Sequence, residues 1–274
     1  RLMRFQRNIQ SEGRKFAICF KGQKRDVFDR LWSTNRNKLI SPLEMGGRNT
    51  VDLFGVQAGD VYGNPDLGFH EHMFAPLKAT GLYFHSKQNQ DNRTFLSKYD
   101  TLQMRSCFQF GLQGGSYGAL EGLLLVVQDV GRCMDVIEAA EKEQNWQYTH
   151  IAMTRFDIVP RRKILLPQLK DIDTHVYVPS MSSLGVDDSL ALGPRRHMEK
   201  YLRGMLGEFS SVLSDGVRCE YALACEHFVQ NNMVSFGLPT RHSPLLNVDR
   251  FKLDPATNQL VIRGKTAKTM KKED

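Results

Sequence analysis

Between about residues 117 and 160 the chain passes from a long amphipathic helix into an apolar strand, and few folds accommodate that succession. Leu120, Leu123, Val127, Val130, Met134 and Ile137 recur at steps of 3, 4, 3, 4 and 3. That spacing lays them in one stripe along roughly seven turns of helix. Ser116 stands where an N-cap would stand, after Gly114 and Gly115, and Glu138, Glu141, Lys142 and Glu143 mark a solvated far end. The run from Tyr148 to Val159 follows, closed by Pro160. A helix that feeds such a strand predicts a parallel crossover into the middle of a sheet covered on its faces by helices.

The flanking sequence carries the same alternation. Lys15 to Phe20 reads as a buried strand that stops at Lys21, Gly22 and Gln23, and Asp26 to Trp32 has helical spacing. Thr50 to Val56, Gly81 to His85 and His175 to Pro179 read as further strands. Residues 57–75 and 86–93 read as loops. Pro194 precedes a helical stretch from Arg195 to Leu206, and a further helix is expected from about Glu220 to Gln230. Met233 to Phe236 reads as a strand. Arg250 to Leu253 and Gln259 to Ile262 flank a turn sequence and predict a hairpin. The expectation is an α/β protein: a basic segment over 1–14, a main domain over 15–247, a β-hairpin over 248–262 and a basic tail over 263–274.

Composition narrows the function classes. The formal charge is +7, but residues 1–38 hold 11 basic and 3 acidic residues, and residues 263–274 hold 5 and 2. The body between them has 21 basic against 25 acidic residues. Nucleic-acid enzymes carry a basic stripe where phosphates run, so this distribution speaks against nucleic acid as a partner. The longest apolar run, Leu123 to Val127, is far short of a membrane span. Five cysteines with no C-x-x-C pair exclude a zinc knuckle and leave room for one disulfide. The chain begins at Arg1, so a Golgi-type anchor upstream is compatible with it, as is a cytoplasmic or viral setting.

Arg155 and Asp157 are the most informative residues. Alternation on a strand puts both on one face, and two charged groups in a covered sheet belong at the strand's carboxyl end, where open α/β sheets bind ligands. An internal Arg–Asp pair that merely closes the strand is the plainer alternative. Asp187 and Asp188, between Gly185 and Gly193, suit a loop that approaches a ligand or, equally, a solvated turn. Glu220 can act as a base or simply complement a helix dipole. The segment Lys21 to Arg25 can bring Gly22, Gln23 and Arg25 to a phosphate, or be a basic surface turn. His70 and His72 look metal-like but lack a third ligand at a recognisable spacing. Asn92, Arg93 and Thr94 form one glycosylation sequon.

The order of these motifs resembles the GT-A-fold, nucleotide-sugar-dependent glycosyltransferases of plants, algae and large algal viruses. Ile151 to Asp157 is similar to the acidic element at the end of their metal-bearing strand, in an R-x-D form of the usual D-x-D. Phe16 to Arg25 is similar to their first strand and donor loop, Val51 to Phe54 to the second strand, Gly185 to Tyr201 to the segment after the R-x-D strand, and Cys219 to Tyr221 to an acidic helix start. The likeness spans roughly residues 15–240 as short motifs.

What the resemblance implies is a GT-A-like, mostly parallel mixed sheet and transfer of a sugar from a nucleoside diphosphate donor to a hydroxyl of a glycan or glycoprotein. Gly22, Gln23, Arg25, Arg155 and Asp157 would bind the donor, and Asp157 would hold Mn²⁺ or Mg²⁺, with Arg155 neutralising phosphate where the first acid is missing. Asp188, then Asp187 and Glu220, would take the acceptor proton. The rival expectations are a non-catalytic carbohydrate- or anion-binding module and another nucleotide-dependent transferase. No P-loop or dinucleotide glycine motif supports the latter.

Overall fold

Phe16, Ile18 and Phe20 alternate with Ala17, Cys19 and Lys21 along β1 (Lys15–Lys21), and every one of the six is buried. A strand with both faces apolar belongs in the centre of a covered sheet. The computed structural model, which describes residues 13–22, 27–58, 81–85, 117–180, 188–214, 230, 232–254 and 256–262, has β1 there (side chains are not described at 57–58, 81–85, 117–123, 125 and 208–214). β1 pairs in parallel with β2 (Thr50–Ala58) on one side and with β4 (His150–Arg155) on the other. β3 (Gly81–His85) extends the sheet in parallel beyond β2.

Past β4 the direction changes. β7 (Leu190–Pro194) runs antiparallel to β4, β6 (Val176–Val178) antiparallel to β7, and β8 (Thr240–His242) parallel to β6. The mixed, partly parallel sheet thus has the order β3-β2-β1-β4-β7-β6-β8. A second, antiparallel sheet has the order β10-β9-β5, formed by β5 (Ile158–Pro160), β9 (Val248–Leu253) and β10 (Leu260–Ile262). The expected hairpin is the β9–β10 pair, with Leu260 opposite Leu253.

Helices cover both faces. α1 (Val27–Asn35) continues through a wider π turn (Arg36–Ile40) into the short α2 (Ser41–Glu44) and packs Phe28, Leu39, Ile40 and Leu43 against Phe16, Ile18 and Phe20. α3 (Tyr117–Gln144) and α4 (Arg195–Ser214) cover the other face, where Val127, Val130, Met134 and Ile137 of the expected stripe meet Ala17, Cys19, Ile151 and Met153. Cys19 and Cys133 form a disulfide that ties β1 to α3. No helix of the described residues is long and apolar enough to cross a membrane.

Three sequence expectations change. The run from Tyr148 to Val159 is not one strand: β4 ends at Arg155, residues 156–157 turn, and β5 enters the second sheet. At the break, the Phe156 ring is buried against Phe20 and Phe28 on the α1 face. Leu190 to Gly193, expected within a loop, is a strand beside β4, and Gly193 lets it pass close to β6, where a Cβ would sit 3.0 Å from the Val176 Cα. Met233 to Phe236 is not a strand. Residues 232–235 are helical, Val234 and Phe236 are exposed, and Asn232 is buried with its amide donating to the Tyr201 carbonyl. The expected helix from Glu220 to Gln230, Ser116, the His70–His72 motif and the Asn92 sequon lie outside the described residues, except for Gln230.

Candidate functional site

The strand order makes one end of the sheet chemically distinct. From β1 the chain adds β2 and β3 to one side, and β4 lies on the other, so the sequence order reverses between β1 and β4. In open α/β sheets the crevice at the carboxyl ends of the two strands flanking such a reversal is where ligands bind. The register places Lys21, the last residue of β1, beside Arg155, the last residue of β4. Two cations therefore stand at this edge on neighbouring strands.

Arg155 and Asp157 meet as a pair, the arrangement that the plainer reading of the motif expects. The guanidinium Nε donates to Asp157 Oδ1 at 2.8 Å and Nη2 donates to Oδ2 at 2.9 Å. The arginine side chain is 24% exposed and the aspartate 9%. Their meeting does not come from strand alternation, since Asp157 lies beyond β4 in the turn that Phe156 anchors. The turn is held from its far side by Phe251, whose backbone N–H donates to the Asp157 carbonyl at 2.8 Å.

Lys21 is almost wholly buried and its ammonium lies 3.4 Å from Asp188 Oδ2. The other Asp188 oxygen lies 3.3 Å from Arg250 Nη2, and the same guanidinium donates to Ser189 Oγ at 2.9 Å. Asp188 thus stands between two cations, one underneath and one nearer solvent.

On the helical side, Asp129 of α3 is buried beside Arg132, 3.4 Å away, and feels the charge of Lys21. The disulfide explains the match. From Cys133 back to Asp129 the helix rises about 6 Å, and from Cys19 on to Lys21 the strand rises about 6.6 Å, so bridging the cysteines sets Asp129 against Lys21. Burial raises the Asp129 carboxyl to about 7, with Arg132 and Lys21 pulling the other way. Among the described residues, Lys21, Arg132, Arg155 and Arg250 are interleaved at this edge with Asp129, Asp157 and Asp188.

Gly22 directly follows Lys21 with φ +94°, a conformation that favours glycine, and no described residue lies within 4 Å of where a Cβ would project. Its N–H donates to the Val56 carbonyl. Gln23, Arg25, Asp187 and Glu220 lie outside the described residues.

The described residues include no group of three His, Cys, Asp or Glu side chains able to hold a metal ion. Asp157, the expected ligand, has both oxygens engaged by Arg155. As they stand, these residues fit an anion held by arginine better than a divalent cation held by carboxylates.

Sequence reasoning missed Asp129, Arg132, Ser189 and Arg250. Asp129 had a readable signal, a carboxylate directly beside the apolar stripe and one turn before a cysteine. Arg250 had none, because its position depends on the pairing of β9 with β5. Comparison with protein-family models and with curated proteins finds no match to this chain.

Proposed function

We propose that this protein is a glycosyltransferase of GT-A type, moving a sugar from a nucleoside diphosphate donor to a hydroxyl of a glycan or glycoprotein. One observation carries the reading: the Arg155–Asp157 fork at the carboxyl end of β4, directly beside Lys21 at the carboxyl end of β1. The donor diphosphate lies along this edge, beside Gly22 at the end of β1. Preorganised cations stabilise the charge that develops as the sugar–phosphate bond breaks, generally the largest electrostatic contribution to such a reaction. Asp188 is the first choice for the acceptor base, with Asp187 and Glu220 as alternatives.

A divalent cation, Mn²⁺ or Mg²⁺, would add charge neutralisation on the departing diphosphate, and Asp157 would have to release one oxygen from Arg155 to hold it. The Cys19–Cys133 disulfide supports an oxidising compartment such as the Golgi lumen.

The test is a screen of UDP- and GDP-sugars for release of free nucleoside diphosphate, with thermal shift in parallel. The reading expects turnover of at least one donor and stabilisation by its nucleotide. Stabilisation by polyanions alone, with no turnover, would leave a non-catalytic anion-binding module instead.

A further inference from the structure

Two basic segments lock together on the α1 face: the π turn (Arg36–Ile40) and residues 161–170, which follow β5. The Ile164 N–H donates to the Lys38 carbonyl at 2.9 Å, and the Lys38 ammonium donates to the Arg161 carbonyl at 3.1 Å. Ile164, Leu166 and Leu169 are buried in the same core cluster as Leu39 and Ile40, which leaves the residues between them facing outward. Arg36, Arg161, Arg162, Lys163 and Lys170 are exposed, and Lys38 is half-buried.

Few acids answer these cations. None occurs between Asp29 and Glu44 or between Asp157 and Asp171. Arg161 pairs with Asp249, and Asp171 is taken by Arg241. The Lys38 ammonium meets a neutral carbonyl, which draws it toward the Arg161–Lys163 run. The side chains of Arg36, Arg162, Lys163 and Lys170 make no ion pair or hydrogen bond among the described residues. Gathering like charges costs free energy that an anionic partner recovers.

The form of the surface narrows the partner. Cations strung along a segment suit a polymer with repeated charges better than a single phosphate. Leu165, 41% exposed, is the one large apolar side chain exposed in that segment, too little to anchor a face in lipid. The Cys19–Cys133 disulfide supports an oxidising compartment, whereas anionic phospholipid marks the cytoplasmic leaflet. We propose that this face is a docking surface for an acidic polysaccharide, one carrying carboxylate or sulfate groups. The inference goes beyond sugar transfer and does not rest on it, since none of these residues belongs to the site edge.

Isothermal titration of the full chain with heparin and with polygalacturonate tests this, the first carrying sulfates and the second only carboxylates. One variant replaces Arg162, Lys163 and Lys170 with serine. A second removes the same charge from the tail, replacing Lys268, Lys271 and Lys272 with serine. Wild type binds at least one polymer, and raising the salt from about 50 to 200 mM weakens that binding. The surface variant loses at least about tenfold in affinity and the tail variant less than about threefold. Circular dichroism verifies folding, and Arg162→Glu alone decides if the triple surface variant does not fold. Equal losses in the two variants, or a wild type that binds neither polymer, overturns the proposal. Tighter binding to phosphatidylcholine–phosphatidylserine vesicles than to either polymer overturns it in favour of a membrane surface. Nucleotide-sugar turnover that persists in the surface variant leaves sugar transfer standing whichever way the docking test falls.

Discussion

Arg155 grips both carboxylate oxygens of Asp157 from two residues away, although the strand that carries the arginine ends between them. The pair is neither deep in the core nor freely solvated, and it faces the edge where β1 and β4 end. Each partner fixes the other's orientation, so a ligand phosphate that engages Arg155 meets a guanidinium already held in place.

Asp157→Asn separates binding chemistry from folding at this pair. The amide keeps the shape, accepts from Arg155 through one oxygen only and removes the charge. We expect nucleotide-sugar turnover to fall at least about a hundredfold, the scale of losing one preorganised electrostatic group. Stability should fall by about 2 kcal/mol, between exposed and buried ion pairs, leaving the protein folded. Full activity in a folded variant would remove Asp157 from the mechanism.

Much of the architecture was legible because periodicity reports burial. The stripe from Val127 to Ile137 and the doubly apolar β1 needed only local spacing to be read correctly. The failures lie where tertiary contacts override local pattern. Nothing in the apolar run from Tyr148 to Val159 marks a turn at Phe156, because the next strand leaves to pair with β9, about ninety residues away in sequence. Leu190 to Pro194 hid as a strand because flanking acids and glycines suggested a loop. At the site, Arg155 and Asp157 were readable as a motif, whereas Arg250 reaches them only through a sheet pairing that no local pattern encodes.

Chelation tests the role of metal. Since Arg155 occupies Asp157 and no cluster of three metal-binding side chains occurs among the described residues, nucleotide binding should survive EDTA. Titration of UDP or GDP with EDTA and with Mn²⁺ should give affinities within about threefold of each other, less than half the energy of a tenfold change. A loss beyond about tenfold in EDTA would assign the diphosphate to a metal instead.

Asp129 should make the protein less stable as pH rises. Its folded value of about 7 lies above the ordinary 3.8, so the folded chain holds a proton that the unfolded chain releases. The associated stability is fully present below about pH 4 and lost as pH climbs through 7. Asp129→Asn keeps the shape and removes the titration. Melting temperatures between pH 4.5 and 8 should show the variant gaining on wild type toward pH 8, by a few kcal/mol on the order of the shift. Parallel curves would show that Asp129 is not held protonated by burial.

His150 gives the opposite slope. It is buried at the start of β4, with Nε2 3.1 Å from Asp173 Oδ1 but off the hydrogen-bonding line, and burial lowers its basicity despite the aspartate. A lowered folded value means that its contribution is present above about pH 6.5 and lost on acidification below it. Between pH 5 and 6.5 the slopes of His150 and Asp129 therefore oppose each other. His150→Gln should flatten the acid side and expose the Asp129 slope, seen as a melting temperature that falls steadily from pH 5 to 8. An unchanged acid limb would assign that limb to other groups.

The disulfide carries a prediction about both stability and the site. Cys19 and Cys133 are fully buried and separated by 114 residues, so the bridge closes a long loop in the unfolded chain. The chain-entropy model gives about 4 to 5 kcal/mol for a loop of this size. Replacing both cysteines with alanine should lower the melting temperature by roughly 10 °C, at about 2–4 °C per kcal/mol for a large domain. The same bridge clamps α3 onto the sheet and so keeps Asp129 buried, and burial is what raises its carboxyl; removing the bridge should loosen that burial, lower the value and flatten the pH dependence above pH 5. A double variant that melts lower but keeps the wild-type pH slope would show that packing of Val130 and Met134 alone holds α3 in register over Lys21.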